Sequence, residues 1–307
     1  MKILITLLLL ITSFFALNIA PINYKGKVDL IKQINFNPNF GSYNFSEISG
    51  LAYDKKRKIL YMVSDKGIMF TFKANFNDDN FTLKPLKAVY FKKRNGKRYK
   101  KHYHDRDTEG IALDDKGNIY VSREGRLRVT QFSPNGIKIK NLKLPTKLRK
   151  IREKDLQSGN KGLESLTWHP KYGLITALEQ PIQGKKLRNQ TIYSFNGKTW
   201  KLKMEPYKNN SISDIEVMDD GNLLILERAY GGILGKFVVT LKELYIKGCK
   251  KEPCKSETLL SIDSSKGWKI ENFEGIASVG NNRYLMVNDN NNIFFKKTKL
   301  IYFKVGR

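Results

Sequence analysis

The chain has 307 residues, 40% hydrophobic and 28% charged, enough to bury one large all-β domain or two ordinary ones and too apolar for disorder to be the default. Its 56 Lys and Arg against 29 Asp and Glu give a formal charge of +27, which excludes a typical acidic cytosolic enzyme and makes an anionic partner the expected one. Two cysteines are too few for a disulfide-built scaffold or a four-cysteine zinc site.

The N-terminus settles the expected compartment. Met1-Lys2 is a short basic start, Ile3 to Leu17 is an apolar run, and Ala16 and Ala20 are small residues where a signal peptidase cuts, so residues 1–20 read as a signal peptide. The run falls short of the roughly twenty residues of a spanning helix, and a retained signal anchor is the alternative. No later segment is apolar enough to cross a bilayer, so residues 21–307 are expected as a single monomeric domain, periplasmic or secreted.

The next elements form a repeat. A first apolar run, Val28 to Ile34, stands alone. Five similar segments then open at Ser49 (Ser-Gly-Leu-Ala-Tyr-Asp), Glu109 (Glu-Gly-Ile-Ala-Leu-Asp), Glu164 (Glu-Ser-Leu-Thr-Trp), Ser213 (Ser-Asp-Ile-Glu-Val) and Glu274 (Glu-Gly-Ile-Ala-Ser). Each is followed by a turn and a second run: Leu60–Asp65, Ile119–Glu124, Leu174–Glu179, Leu223–Glu227 and Tyr284–Asp289. Short Ile, Leu, Val and Tyr runs around Asp115-Lys116-Gly117-Asn118 or Asp220-Gly221-Asn222 are β-hairpins, not helices. Second hairpins follow, around Ser133-Pro134-Asn135-Gly136 and Asn196-Gly197. Four antiparallel strands per repeat make the blade of a β-propeller. Five blades are expected, six being the alternative, with the Val28–Ile34 strand completing the last one beside Leu300–Val305 and so closing the ring. Only Leu144 to Leu156 has any helical periodicity. Cys249 and Cys254 lie in a turn with Gly248 and Pro253, where an oxidising compartment favours a small disulfide loop; their spacing is not that of a redox Cys-x-x-Cys.

The ends of these hairpins carry acids. Antiparallel strands return to the edge they left, so Glu109 and Glu124, Glu164 and Glu179, and Glu274 and Asp289, each 15 positions apart, are expected to be neighbours. Ser49 with Asp65 and Ser213 with Glu227 keep the spacing within one residue, with Glu47 and Asp214 beside the serines. If the first strand of each blade is innermost, these carboxylates converge on the mouth of a central channel. Such a cluster needs a metal ion, a nearby Arg or Lys, or shared protons. Ca²⁺ suits an oxygen-only set supplemented by Asn160, Asn272, Asn288 and Asn290. The alternative is structural: the acids accept backbone N–H bonds from neighbouring blades, a reading strongest for Asp65 and Glu227, which have Lys66 and Arg228 beside them.

The ordered set Asn44 to Ala52, Asp107 to Ala112, Asn160 to Leu166 with Glu179-Gln180-Pro181-Ile182, Ser213-Asp214 with Leu226-Glu227-Arg228, and Asn272 to Ala277 with Asn288-Asp289-Asn290 resembles the phytase-like family, also called esterase-like activity of phytase. The resemblance runs from about Glu47 to Phe303. Ser165 and Asp214 stand where other repeats have glycine. The resemblance implies an exported propeller hydrolysing phosphate esters or diesters.

In that reading Glu109, Glu164, Glu274 and Asp289 hold Ca²⁺, which activates water as the nucleophile; Glu124 or Glu179 is the general base. Arg123 or Arg228 steadies the phosphoryl charge, with Lys66 and Arg106 as substrate contacts. The rivals are a non-catalytic propeller binding an anionic surface ligand and a metal-assisted carboxylic ester or lactone hydrolase. The basic stretch Lys92 to Arg106 reads as a solvated loop or as an anion-binding insertion, and export argues against genomic nucleic acid. His102 and His104 are weak metal candidates there, and His169, in a turn before Pro170, is expected to be structural. No Gly-x-Ser-x-Gly elbow, phosphate loop or dinucleotide fingerprint is present.

Overall fold

A computed structural model of the chain describes residues 19–21, 25–99, 106–123, 127–157, 162–184, 188–231, 236–293 and 296–306. The described residues form twenty strands, β1 to β20, in five four-stranded antiparallel sheets. After β1 (Val28–Asn35), blade 1 holds β2 (Ile48–Asp54), β3 (Ile59–Ser64), β4 (Ile68–Phe76) and β5 (Phe81–Tyr90). Blade 2 holds β6 (Thr108–Leu113), β7 (Ile119–Arg123), β8 (Arg128–Phe132) and β9 (Lys138–Asn141). Blade 3 holds β10 (Leu163–His169), β11 (Gly173–Leu178), β12 (Asn189–Ser194) and β13 (Thr199–Lys203). Blade 4 holds β14 (Ser211–Val217), β15 (Leu223–Tyr230), β16 (Phe237–Leu244) and β17 (Ser256–Asp263). Blade 5 holds β18 (Asn272–Gly280), β19 (Arg283–Asp289) and β20 (Lys299–Val305), with β1 as its outermost strand. The chain is therefore the all-β, five-bladed propeller expected, closed by pairing Val28 with Val305 through to Asn35 with Lys299.

The first strand of each blade packs on the first strands of its two neighbours, in the cyclic order β2, β6, β10, β14, β18. These five strands line the axis. The blades stack face to face, so their middle strands are apolar on both sides and read as continuous hydrophobic runs. In β15, Leu224 and Leu226 pack toward blade 5, while Leu223 and Ile225 pack toward blade 3. Five apolar clusters result, one at each blade interface.

Between blades 2 and 3 the chain makes one helical turn, α1 (Thr146–Arg149), and a 3-10 turn at Glu153–Asp155, a reduced form of the helix expected there. Cys249 and Cys254 are disulfide-bonded, and Cys254 is buried in the cluster between blades 3 and 4. His169 is structural: its Nε2 faces the Gly221 carbonyl oxygen at 3.1 Å and its Nδ1 accepts the Lys171 N–H at 3.0 Å, tying blade 3 to blade 4. Ile19 is buried between blades 4 and 5; its N–H donates to Gln33 Oε1 (3.1 Å) and its carbonyl accepts from Lys269 N–H (3.3 Å). No helix among the described residues is long and apolar enough to cross a membrane.

Candidate active site at the channel mouth

One irregularity recurs at the head of every inner hairpin. Ile48 pairs with Ser64 and Gly50 with Val63, leaving Ser49 as the extra residue of a β-bulge. The same break leaves out Glu164 in blade 3, Ser213 in blade 4 and Glu274 in blade 5. In blade 2, Glu109-Gly110 together oppose Ser122. A bulge bends its strand and re-aims a side chain. Here it turns the aligned residues Ser49, Glu109, Glu164, Ser213 and Glu274 toward one end of the axis.

The register also identifies their partners. The pairs Ile48/Ser64, Thr108/Arg123, Leu163/Leu178, Ile212/Glu227 and Phe273/Asn288 are equivalent, so the next position outward is Asp65 in blade 1, Glu179 in blade 3, Arg228 in blade 4 and Asp289 in blade 5. Blade 4 therefore presents an arginine where blades 1, 3 and 5 present acids. The expected Glu227 is one residue off: alternation along the strand turns it away from the mouth, where it is buried and accepts from Glu205 N–H (2.9 Å) and Asn210 Nδ2 (2.6 Å), with Lys242 Nζ at 3.4 Å. Arg123 occupies the matching position in blade 2. It too is buried away from the mouth, its guanidinium over the rings of Tyr99 (4.5 Å) and Phe132 (5.4 Å), and so leaves the set of candidate charge stabilisers.

Below the mouth the ring narrows. A Cβ on Gly50 would meet the Glu109 carbonyl oxygen at 2.4 Å, and one on Gly110 would meet Leu166 N at 2.5 Å, so only glycine lets these inner strands approach so closely. Blade 4 has Asp214 at this level. Its buried carboxylate accepts N–H bonds from Ile215 (2.8 Å) and Ile276 (2.9 Å) and from Leu166, so it joins blades 3, 4 and 5 across the axis. Burial holds its pKa well above the usual range despite those donors. The departure of blade 4 from glycine is thus a plug, and the blade keeps its equivalence.

At the mouth itself Arg228 is the hub. Its Nη1 donates to Glu274 Oε1 and Asn272 Oδ1, its Nη2 lies 3.5 Å from Glu179 Oε1, and Glu164 adds to the field that holds it charged. Asn272 Nδ2 donates to Glu274 Oε1 (2.8 Å). Across the opening stand Asp65, held by Ser49 Oγ, and Asp289, which accepts the Asn291 N–H (2.6 Å). Burial first, and then the charge of Glu274, pushes the Asp65 pKa well above the normal carboxyl range and that of Asp289 up to about 6. Glu47 borders them with φ at 52°, a left-handed conformation that a glutamate rarely takes. Three contacts pin it: its N–H donates to Asn290 Oδ1 (3.1 Å), its carbonyl accepts the Asp65 N–H (3.1 Å), and its carboxylate takes Lys66 Nζ (2.7 Å).

Of the other expected site residues, Glu109 and Glu164 sit at their bulges, and Lys66 reaches only as far as Glu47. Arg106 is spent on the Lys66 carbonyl oxygen (3.2 and 2.9 Å). Glu124, Asn160, His102 and His104 lie outside the described residues. A cavity of about 840 Å³ opens beside the hub, with Glu179, Arg228, Asn272 and Lys296 contributing polar groups and Tyr230 and Phe237 an apolar wall. That wall belongs to the outward ends of β15 and β16, beyond the repeated segments, and no sequence signal marked it.

The side chains present fit a hard cation by their chemistry, since the acidic half of the mouth offers carboxylate and amide oxygens. As they stand, no three acidic, His or Cys side chains among the described residues converge tightly enough to hold an ion.

A five-bladed propeller whose bulged inner strands gather carboxylates around one arginine defines the class of protein. The chain belongs to the family described as phytase-like, esterase-like activity of phytase, whose model matches residues 44–292. A search of curated proteins finds no significant match. Among solved structures it is similar to a PQQ-bound aldose sugar dehydrogenase from Streptomyces coelicolor (10% identity, 90% of this chain and 99% of that one, TM-score 0.42). It is also similar to virginiamycin B lyase from Staphylococcus aureus (10% identity, 90% and 99% covered, TM-score 0.36) and to a luciferin-regenerating enzyme (10% identity, 90% and 94% covered, TM-score 0.42). These likenesses are too distant to speak to activity.

Proposed function

We propose that the chain is an exported hydrolase of ester bonds, with phosphate esters or diesters as substrates, acting at the channel mouth. The observation that carries this reading is the pairing of Glu179 and Glu274 with Arg228 beside the large cavity, with Asp65 and Asp289 gathered in the field of Glu274. The family description, esterase-like activity of phytase, supports the bond class.

Asp65, Glu274 and Asp289 would hold Ca²⁺, supplemented by Asn272, and Glu109 and Glu164 would extend the set around the ring. The ion supplies a Lewis acid for the phosphoryl group and lowers the pKa of water. A substrate anion entering so acidic a mouth would otherwise be repelled. Arg228, fixed by Glu179, Glu274 and Asn272, orients a phosphoryl oxygen on the cavity side and offsets charge that grows there. Of the two general-base candidates, Glu179 lines the cavity and, 3.5 Å from Arg228 Nη2, also positions the guanidinium.

The test is a panel of chromogenic phosphomonoester, phosphodiester and carboxylic ester substrates, each with Ca²⁺ or with chelator. Chelator-sensitive turnover of a phosphate substrate, reduced by at least about a hundredfold in Glu274→Gln, is expected. Chelator-sensitive turnover confined to carboxylic esters would transfer the site to that bond class. If no substrate turns over, the non-catalytic binding reading replaces this one.

Export belongs to the same proposal. Cleavage after Ala16 would keep the packed Ile19, whereas cleavage after Ala20 would remove it. N-terminal sequencing of the exported protein should therefore begin at Leu17; a start at Pro21 would overturn that placement.

A further inference from the structure

The outer strands of the blades carry a second set of bulges, and these have unequal fates. In blade 1, Phe72 pairs with Pro85 and Thr71 with Lys87, leaving Leu86 as the extra residue. In blade 2, Phe132 pairs with Lys138 and Gln131 with Lys140, leaving Ile139. Blade 4 leaves Leu259 and blade 5 leaves Ile31 by the same break. All four are large and aliphatic. Leu259 is buried and Ile31 partly buried, each packed into a core cluster. Leu86 and Ile139 are 52% and 41% exposed.

The end of β5 meets the turn that leads into β9. Lys87 Nζ donates to Asn135 Oδ1 (3.0 Å), and a Cβ on Gly136 would come within 2.6 Å of the Tyr90 carbonyl oxygen. Around them the surface is basic. Lys84 and Lys87 flank Leu86, and Lys138 and Lys140 flank Ile139. Against β9 lies the start of the 92–106 insertion: Lys138 N–H donates to the Lys92 carbonyl oxygen (2.9 Å). The groove between them, about 500 Å³, is lined by Lys93, Arg94, Arg128, Lys138 and Lys140 with Tyr99 and Asn141, and no acidic side chain is among its described residues.

Lysines on an edge strand are expected on their own, because they deter edge-to-edge pairing. Exposed leucine and isoleucine between those lysines do the opposite and call for a covering partner. A second copy of the chain would bring like charges together. A soluble polyanion would satisfy the lysines and leave the aliphatic side chains in water. A surface that is anionic at headgroup level and apolar just beneath satisfies both.

We infer that the outer wall of blades 1 and 2 docks on an anionic phospholipid surface, with Leu86 and Ile139 entering the interface and the surrounding lysines and arginines paired to headgroup phosphates. This is independent of the chemistry at the channel mouth and would hold the enzyme or binding protein at a membrane without a spanning segment.

Both native cysteines are in the disulfide, so a cysteine introduced into the full chain can be labelled selectively with an environment-sensitive dye. Ile139→Cys reports on the proposed surface and Asn196→Cys on the turn of blade 3. With vesicles of phosphatidylglycerol and phosphatidylcholine, emission from position 139 should rise at least about twofold, that from 196 should stay unchanged, and phosphatidylcholine alone should move neither. Adding Lys138→Glu and Lys140→Glu should weaken the response at least about tenfold in apparent affinity, and Leu86→Ser should weaken it without changing its salt dependence. Equal responses at both positions, no response to the anionic vesicles, or a response to soluble polyphosphate alone would each overturn the inference. Because position 196 shares every other part of the chain, association through the apolar N-terminus cannot imitate the expected pattern.

Discussion

Asp214 at the waist and the Asp65–Asp289 pair at the mouth are carboxylates largely removed from solvent within one ring, and their surroundings give them opposite meanings. Asp214 is ringed by backbone N–H donors from three blades. It was placed to bind the protein to itself. Asp65 and Asp289 receive few donors and face Glu274 instead, so their burial is aggravated by repulsion. What separates Asp214 from Asp65 and Asp289 is therefore the identity of their neighbours. Stability seldom rewards carboxylates gathered without donors, and such clusters concentrate at sites that bind or react.

The largest effect that would test this contrast is at the waist. Asp214→Ala removes the acceptor of three backbone N–H groups at a buried position and should lower unfolding free energy by about 3–5 kcal/mol in urea denaturation. A loss below about 1 kcal/mol would show that the plug is dispensable. At the mouth, Arg228→Met should cost about 3 kcal/mol, because it leaves Glu179 and Glu274 without their counter-ion, and should lower turnover at least about a hundredfold. Retained activity in a folded Arg228→Met protein would remove the arginine from the chemistry.

Glu216, half-buried on the channel wall, supplies an intermediate case. It accepts from Thr167 Oγ1 (3.2 Å) and from its own strand at Val217 N–H (2.7 Å), and burial raises its pKa to about 7. The folded state then holds this proton at a pH where the unfolded chain has released it. The Glu216 contribution to stability is full below the unfolded value near 4.5 and should decline by about 3 kcal/mol as pH rises toward 7, after which it levels. Glu216→Gln should flatten that part of the stability profile. The smallest effect has the opposite sign: Asp289→Asn relieves repulsion while keeping an acceptor for Asn291, and should stabilise the metal-free protein at pH 8 by about 1 kcal/mol. Destabilisation instead would mean that Asp289, like Asp214, is a structural acid.

The blade plan was legible because its carriers are local. Turn residues such as Asp220-Gly221-Asn222 and the paired apolar runs each state a hairpin without reference to the rest of the chain. The convergence of acids followed from strand return. The occupant of the fourth position did not, because the pattern calls for an acid there: the 15-residue spacing of Glu164/Glu179 and Glu274/Asp289, applied to Ser213, lands on Arg228, and the 14-residue partner Glu227 faces the other way. Asp214 could be read only as a departure from glycine, since its value depends on Leu166 and Ile276, brought to it by two other blades. Tyr230 and Phe237 carry no pattern at all; only the ring places them beside Arg228.

The seam between β1 and β20 has a consequence for how the molecule comes into being. The first strand of the ring waits for the last, so a ribosome must release nearly every residue before blade 5 can exist. Until then Val28 and Leu30 of β1 have no strand to pair with, and the nascent polypeptide carries open edges on both flanks. A ring closed this way makes its last sheet the final one to form, and puts the risk of edge-to-edge misassembly in the interval before β1 meets β20.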